Sequence, residues 1–217
     1  MLIARCIVVS VACLVLLSCA THPKEPNDPV YIYDGGRVSV VDDYGDCFIS
    51  IDGSINPQLE KAFTKAKAYT DSLECIEKIV LIRSNGGDLD SAMRIGKQIR
   101  AGKFTTDMHG YCESACAFIY IGGVRRFAHQ NSRIVENSKL GVHQPASELL
   151  FHKCVVNNPQ SGPVIQVIRQ YLALMLPTDA SAKLSKEMFE TSCNHISYID
   201  ANGLLRSGIA TESVDFH

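Results

Sequence analysis

Apolar runs with strand character alternate along the chain with segments whose apolar residues recur at helical spacing. The runs predict five strands, over residues 38–41, 47–51, 78–82, 105–109 and 140–143. Helical spacing predicts helices over residues 89–99, 114–122, 164–175, 180–193 and 203–207. Because strands that alternate with helices form βα units, we predict one α/β domain over residues 31–217, with stacked βα units and a largely parallel sheet.

Capping residues set the expected limits of two of these helices. Asp88 or Asp90 is expected to cap the start of the helix over residues 89–99, and Gly102 closes it. Asp200 is interpreted as the cap of the last short helix, which ends before Gly208. Both helices therefore carry local signals that do not depend on the rest of the fold.

Residues 1–18 differ from the rest of the chain and predict a lipoprotein-type signal peptide. One cation, Arg5, precedes an apolar run over residues 7–17, which is too short to span a bilayer core of roughly 30 Å. The Leu-Ser-Cys order that ends at Cys19 resembles the bacterial lipobox, in which the cysteine is acylated. An ordinary secretory peptide, cleaved near Ser18 or Ala20, is the alternative.

Residues 19–30 predict an extended tether between the lipid and the folded domain. Three prolines lie there among polar residues, a composition that keeps a linker extended. Ala20 stands where an aspartate is linked with inner-membrane retention, so the outer membrane is favoured over the inner one. We therefore expect the chain on the periplasmic side of a bacterial membrane, anchored through acylated Cys19.

Composition fits a folded domain and argues against a nucleic-acid partner. Hydrophobic residues make up 46% and charged residues 20% of the 217 residues, which is enough to bury a core. The formal net charge is −2, and the longest basic run is Arg125-Arg126. The chain therefore lacks the electrostatic footprint of a nucleic-acid-binding protein.

Cysteine usage indicates an oxidising compartment. Of nine cysteines, six lie beyond the signal peptide and the expected lipid site: Cys47, Cys75, Cys112, Cys116, Cys154 and Cys193. An even number in an exported protein predicts up to three disulfides, although six cysteines allow fifteen pairings. We favour Cys154–Cys193, since both lie in the helical C-terminal part. A zinc site is the alternative, but the sequence lacks paired Cys-x-x-Cys knuckles.

Three segments that each follow a predicted strand carry residues that acyl-transfer chemistry needs. The first, residues 82–88, contains Gly86-Gly87. These glycines either make a tight turn that exposes N–H groups at a helix start, or belong to a plain βα turn without a chemical role. The second places Ser114 before an apolar helix, as a nucleophile or as a simple helix cap. The third ends a short apolar strand with His143, a general base or a structural histidine.

Taken in this order, the three segments resemble the Clp protease proteolytic subunit. The likeness rests on Ser84-Asn85-Gly86-Gly87, residues 110–117 around Ser114, Asn131-Ser132-Arg133, and Gly141-Val142-His143-Gln144-Pro145. The Cys-x-Ser-Ala-Cys form, together with a signal peptide, is more similar to the periplasmic Clp-like proteins of bacteria. The resemblance covers most of residues 47–210 and implies the ClpP/crotonase-like fold.

The resemblance implies a serine hydrolase, most simply a peptidase acting on a peptide or protein. Ser114 matches the nucleophile and His143 the general base, while the N–H groups of Gly87 and Ala115 match the oxyanion hole. It also implies a homo-oligomer, and the apolar surplus of the helix over residues 164–175 fits either a subunit interface or deep burial. We expect no metal, no organic cofactor and no ATPase partner, since the chain carries no motif for them.

Two departures from the family pattern bear on activity. Residues 135–140 are extra, and they either form a bulge that leaves His143 in place or shift its strand. No carboxylate stands where the family has its third triad member. Asn194 is the nearest replacement, because an amide oxygen can orient a neutral imidazole, whereas Asp200 is more simply a helix cap.

Two further sets of residues leave alternatives open. Cys112 and Cys116 flank Ser114 and would stiffen its turn if disulfide-linked, to each other or elsewhere, or would act as a redox switch. Lys139 would lie on the same strand face as His143, which allows a Ser/Lys dyad. For the whole chain, the alternatives are an inactive Clp-like binding or scaffold lipoprotein and a thiol-redox or metal-binding protein.

Overall fold

Eleven strands and six helices make up the part of the chain that the computed structural model describes, residues 28–130, 136–147, 153–154 and 162–214. The strands are β1 Val30–Tyr33, β2 Gly36–Asp43, β3 Asp46–Gly53, β4 Glu77–Ser84, β5 Thr105–Glu113, β6 Arg126–His129, β7 Lys139–Val142, β8 Ala146–Ser147, β9 Lys153–Cys154, β10 Ser197–Asp200 and β11 Glu212–Val214. The helices are α1 Pro57–Asp71, α2 Leu89–Ala101, α3 Cys116–Tyr120, α4 Pro163–Met175, α5 Thr178–Glu190 and α6 Ala201–Ser207. Within these ranges no helix combines the length and apolar character that a membrane span requires. The predictions for residues 1–27, the signal peptide and Cys19 among them, lie outside the described residues.

Nine of the described strands form one sheet in the order β1-β2-β3-β4-β5-β6-β11, with β7 beside the end of β5 and β10 beside β7. Strands β3, β4, β5, β6 and β11 run parallel, whereas β1 and β2 extend the sheet antiparallel to β3. Strands β8 and β9 pair only with each other. The predicted α/β fold with a largely parallel sheet is therefore confirmed.

Strand β5 changes partner half-way along. Residues 106–108 pair with β6, and residues 111–113 pair with β7. Between the two stretches Gly110 has a φ of +80°, which a residue with a Cβ rarely adopts. Because β5 and β7 are parallel, their carboxyl ends lie side by side, and the loops that follow them meet.

Helices α2, α3 and α4 pack closely behind this meeting point. A Cβ on Gly96 of α2 would lie 1.9 Å from the hydroxyl oxygen of Tyr171 and 2.5 Å from the carbonyl oxygen of Phe118. Tyr171 of α4 donates a 2.7 Å hydrogen bond to that same carbonyl oxygen. Every residue of α3 is buried, so the helix after Ser114 is held by α2 and α4 together.

Two arginines tie separate loops together through backbone carbonyl groups. Arg100 of α2 donates to four carbonyl oxygens, those of Ile121, Gly122, Gly123 and Met175. Arg126 of β6 is buried and donates to three, those of Gly123, Gly208 and Ile209. Burial lowers the pKa of both guanidinium groups from the usual value.

The five predicted strands and the caps at Asp88, Gly102 and Asp200 are confirmed. The helix predicted over residues 114–122 is wrong at its start, because β5 continues to Glu113 and Ser114 has a positive φ. Only residues 116–120 are helical there. Helix α5 also ends at Glu190, before the limit predicted for it.

Helix α1 and six short strands, β1, β6, β8, β9, β10 and β11, were not predicted. The buried face of α1 contains Leu59 and Phe63, but its other apolar positions are alanines, which give a weak periodic signal. Its start is fixed locally by Asn56, whose side chain accepts from the N–H groups of Gln58 and Leu59. Strands of four residues such as β6 and β10 are too short to show a clear alternation.

Disulfides occupy most of the cysteines that the sequence singled out. Cys47 at the start of β3 is bonded to Cys75, and Cys112 is bonded to Cys116. Cys193 is also disulfide-bonded, while the side chain of Cys154 lies outside the described residues, so their pairing stays a prediction. A zinc site built from cysteines needs thiolates, and none of these five disulfide-bonded cysteines provides one.

Helix α4 carries apolar residues beyond those it buries. Its buried residues are Ile165, Ile168, Tyr171, Leu172 and Met175. Val167 and Leu174 are 48% and 64% exposed, so they form an apolar strip that the described part of the chain does not cover. A subunit interface of the kind that the sequence analysis expects would cover such a strip.

Candidate active site

Ser114 lies on the turn between β5 and α3, at the carboxyl end of the strand. Its φ is +54°, a left-handed conformation that costs a non-glycine residue roughly 1–3 kcal/mol and persists only where the surroundings impose it. The turn is held from the next strand, because the Ser114 N–H donates a 2.8 Å hydrogen bond to the carbonyl oxygen of Gly141. A half-buried serine on a sharp strand-to-helix turn has the geometry of a nucleophile elbow.

The Cys112–Cys116 disulfide closes a small loop around this serine. Its cysteines stand two residues before and two residues after Ser114, with Cα atoms 5.2 Å apart, and both are fully buried. The bond joins the end of β5 to the first turn of α3. Of the open alternatives for these two cysteines, linkage to each other is the one found.

Gly86 and Gly87 form a second turn that packs directly against the serine. Their φ values are +96° and +141°. A Cβ on Gly86 would lie 2.7 Å from Ser114 Cβ, and one on Gly87 would lie 2.1 Å from the carbonyl oxygen of Ile55. Both positions therefore need glycine, for the backbone angle and for the space.

The N–H groups of Gly87 and Ala115 are the predicted oxyanion hole. Ile55 bonds to the groups on either side of Gly87, since its N–H donates to Gly86 and its carbonyl oxygen accepts from Asp88. Throughout the described ranges neither the Gly87 nor the Ala115 N–H donates a hydrogen bond to the protein. Two N–H groups on adjoining turns beside one serine can bind the negative oxygen of a tetrahedral intermediate.

His143 follows β7 by one residue, as Ser114 follows β5. Glu113 and Gly141 are paired in the parallel ladder, which puts the two side chains at neighbouring strand ends. Of the extra residues 135–140, Lys139 and Leu140 form the start of β7 and pair with Tyr111 and Cys112 of β5. Among the described residues, however, no hydrogen bond joins Ser114 and His143; catalytic hydrogen bonds often tighten only when substrate binds.

The imidazole of His143 is oriented by a backbone carbonyl group. Its Nδ1 lies 2.6 Å from the carbonyl oxygen of Gln144. A carbonyl oxygen only accepts, so Nδ1 carries the proton and Nε2 is left with the lone pair that a general base needs. Gln144 is fixed by the end of α5, because its backbone N–H donates to Thr191 and its side chain to Phe189, at 3.0 and 2.7 Å.

Asn194 is not brought to His143. It is exposed on the turn after α5, its Oδ1 lies 3.7 Å from Cys193 Sγ, and within the described chain it makes no hydrogen bond with the imidazole. Asp200 caps α6 by accepting from the Gly203 N–H. The sequence could not have identified the Gln144 carbonyl group, since a backbone atom leaves no residue signature.

Lys139 lies too far along the strand for a Ser/Lys dyad. It is exposed and pairs with Tyr111, three residues before Ser114, which corresponds to about 10 Å along a strand. Glu113, next to the serine, accepts a 2.5 Å hydrogen bond from Tyr198 of β10, and this bond raises the pKa of the phenol. Neither charged residue is bonded to His143.

Two further features of the described residues lie apart from Ser114 and His143. A groove of about 570 Å³ lies against α4 and α5, lined by Arg169, Lys186 and Phe189 among others, and neither Ser114 nor His143 borders it. A cluster of Asp107, His109 and His129 lies elsewhere on the sheet and is the one group in the described residues with metal-ligating character.

Comparison with known proteins identifies the family of the chain. The Clp protease family model matches residues 41–203. The chain belongs to the Clp protease family. This member of the family has no match among curated protein sequences.

Solved structures with the same fold include proteins named ClpP1 and proteins named enoyl-CoA hydratase. ClpP1 from Listeria monocytogenes superposes with a TM-score of 0.59 at 19% identity, over 78% of this chain and 92% of that one. An enoyl-CoA hydratase from Mycobacterium marinum superposes with a TM-score of 0.56 at 12% identity, over 82% and 76%. At these identities the likeness shows the ClpP/crotonase-like fold alone.

Proposed function

We propose that this Clp protease family member is a serine hydrolase, most simply a peptidase, with Ser114 as nucleophile and His143 as general base. The observation that carries the proposal is the positive φ of Ser114 on a turn packed against Gly86. A strained serine there exposes its hydroxyl oxygen beside two unbonded N–H groups. Membership of a protease family supports the same reaction class.

The reaction would proceed through an acyl-enzyme. Ser114 Oγ attacks the carbonyl carbon of the substrate while its proton passes to His143 Nε2. The carbonyl oxygen becomes negative and is held by the N–H groups of Gly87 and Ala115. The tetrahedral intermediate then expels the amine, which takes the proton from Nε2. Water, deprotonated by the same nitrogen, then attacks the acyl-enzyme ester. The second tetrahedral intermediate collapses to the acid product, and the proton on Nε2 returns to Ser114 Oγ.

In this proposal the carbonyl group of Gln144 takes the place of the third triad member. It fixes the imidazole through Nδ1 and faces the positive charge that forms when Nε2 is protonated. A neutral carbonyl dipole stabilises an imidazolium less than a carboxylate does. We therefore expect slower acylation than in a Ser-His-Asp enzyme.

The test is covalent labelling with a fluorophosphonate probe, in which Oγ displaces fluoride from phosphorus. The full-length chain, purified in detergent with its disulfides oxidised, should label, whereas Ser114→Ala and His143→Ala should not. Asn194→Ala should label at the unchanged rate, because within the described chain Asn194 makes no hydrogen bond with His143; a large loss would give it the orienting role. Labelling that survives in Ser114→Ala would disprove the assignment of the nucleophile.

A non-catalytic binding or scaffold protein is the second candidate. The missing hydrogen bond between Ser114 and His143 within the described chain favours it. A folded chain that fails to label at any pH between 6 and 9 would establish this candidate in place of the hydrolase. Circular dichroism of the same sample would show that it is folded.

We also propose that the chain is exported and anchored by lipid at Cys19, on the periplasmic face of a bacterial membrane. The disulfides support an oxidising compartment. In a bacterial host fed an alkyne-modified fatty acid, the chain should acquire the label and Cys19→Ser should lose it. Cys13→Ser, within the apolar run, is the matched control and should keep the label. Label retained by Cys19→Ser would contradict the proposal.

A further inference from the structure

Two neighbouring parallel strands bring two histidines and an aspartate together on one face of the sheet. Asp107 of β5 is paired with Phe127 of β6, and residues two apart on a strand share a face. His109 and His129 therefore lie on the same side as Asp107. One nitrogen or oxygen from each of the three lies within 4.8 Å of the others.

The individual distances show how the three side chains converge. His129 Nε2 lies 2.6 Å from Asp107 Oδ1, and His109 Nε2 lies 3.4 Å from Asp107 Oδ2. The two imidazole rings meet edge to face, with centroids 5.4 Å apart. A buried pair of Asp107 and His129 would satisfy the carboxylate for structural purposes. A structural role of this pair does not require the side chain of His109 to point toward the same carboxylate.

Access to the cluster is from one side only. His129 and Asp107 are 0% and 8% exposed, whereas the side chain of His109 is 39% exposed. A cavity of about 280 Å³ is bordered by His109, and its lining also includes Asp52 and Glu136. The innermost two groups are thus shielded, and the third opens to a cavity with two further carboxylates.

We propose that Asp107, His109 and His129 bind a divalent transition-metal ion, Zn²⁺ in the first place. Two imidazole nitrogens and one carboxylate oxygen are a donor set that suits zinc, and three protein ligands leave a fourth position for water. That position lies on the side of the cavity. The site is independent of the proposed hydrolase chemistry, since it uses none of the residues around Ser114.

The ligand atoms need little movement to take up the metal. Bonds of about 2.0–2.1 Å in a tetrahedron separate neighbouring ligand atoms by roughly 3.3 Å. The 2.6 and 3.4 Å distances run to different oxygens of Asp107, so side-chain rotation must bring one of these oxygens and the two imidazole nitrogens, now within 4.8 Å of one another, to this separation. Zinc would replace the proton that His129 Nε2 shares with Asp107, and this proton would pass to water.

The backbone at the buried ligand is fixed. The His129 N–H donates to Ser138 Oγ at 2.8 Å, and the Ser138 N–H donates back to the His129 carbonyl oxygen at 2.9 Å. Ser138 Oγ in turn donates to the carbonyl oxygen of Met108 on β5. One buried serine thus joins both ligand-bearing strands, as an outer partner does in established metal sites.

The test is zinc binding to the untagged full-length chain in detergent, with any free thiols alkylated beforehand. Competition with a chromophoric chelator should give one equivalent of Zn²⁺ per chain. His109→Gln should weaken binding by at least about 100-fold, because loss of a ligand costs more than loss of an outer partner. His195→Gln, an exposed histidine on the turn before β10, is the matched control and should bind as tightly as the unmodified chain.

Cobalt provides a second readout. Co²⁺ at the site should give the intense visible absorption of tetrahedral coordination, which His109→Gln should lose and His195→Gln should keep. His109 is partly exposed, so its replacement leaves the fold intact, and circular dichroism would verify this. Failure of the unmodified chain to bind zinc, or equal binding by the two variants, would overturn the proposal.

Discussion

Replacing Gly87 with alanine should nearly abolish labelling by a fluorophosphonate. The new Cβ would lie 2.1 Å from the carbonyl oxygen of Ile55, a backbone atom that cannot rotate away. The turn must therefore move, and with it the Gly87 N–H that we assign to the oxyanion hole. Loss of one such donor costs about 10²–10³ in rate, and we expect at least this reduction in the labelling rate constant.

The chain supplies a matched control at Gly162, before α4. Its φ is also +141°, but a Cβ there would have its nearest contact at 3.9 Å. Gly162→Ala therefore carries the same backbone strain without the collision, and it should label at close to the unmodified rate. Equal labelling by the two variants would show that the Gly87 turn does not form the oxyanion hole.

Replacing Arg126 with methionine should lower the free energy of unfolding by about 3–5 kcal/mol. The arginine is 4% exposed, and its guanidinium donates to three carbonyl oxygens on two loops. Methionine fills similar space but leaves those oxygens without their donor, and an unsatisfied buried acceptor costs roughly 1–3 kcal/mol. Urea unfolding of the oxidised chain, followed by circular dichroism, measures the difference.

The neighbouring Arg125 is the control for charge and chain length. Its side chain is 46% exposed and forms ion pairs with Glu77 and Glu212. Exposed ion pairs contribute about 0–1 kcal/mol, so Arg125→Met should have a small effect. A loss at position 125 equal to that at position 126 would contradict the role given to the buried carbonyl contacts.

Local sequence patterns were sufficient to predict the elements that carry the candidate site. Strand β5, the double glycine and the Asp88 cap each depend on neighbours within a few residues, so their signals are readable in the chain itself. The order of Ser114 and His143 after successive parallel strands also placed them at one edge of the sheet. The start of α3 was the exception, because the strain at Ser114 comes from contacts with β7 and Gly86.

The partner of His143 could not be predicted from residue types. The sequence analysis looked for a side chain and chose Asn194, whereas the structure gives Nδ1 the carbonyl oxygen of Gln144. That oxygen is in place because Gln144 is bonded to the end of α5, nearly fifty residues later in the chain. The backbone offers the same carbonyl group at every residue, so only the fold selects one of them.

The sequence by itself determined the βα order, the candidate serine and histidine, and the glycines beside them, because each depends on short-range turn chemistry. Tertiary structure alone decided which cysteines pair, which atom orients His143, and that Asp107, His109 and His129 meet. His109 and His129 are twenty positions apart, and the parallel register of β5 and β6 makes them neighbours. Register is set by the packing of the whole sheet, which no local pattern encodes.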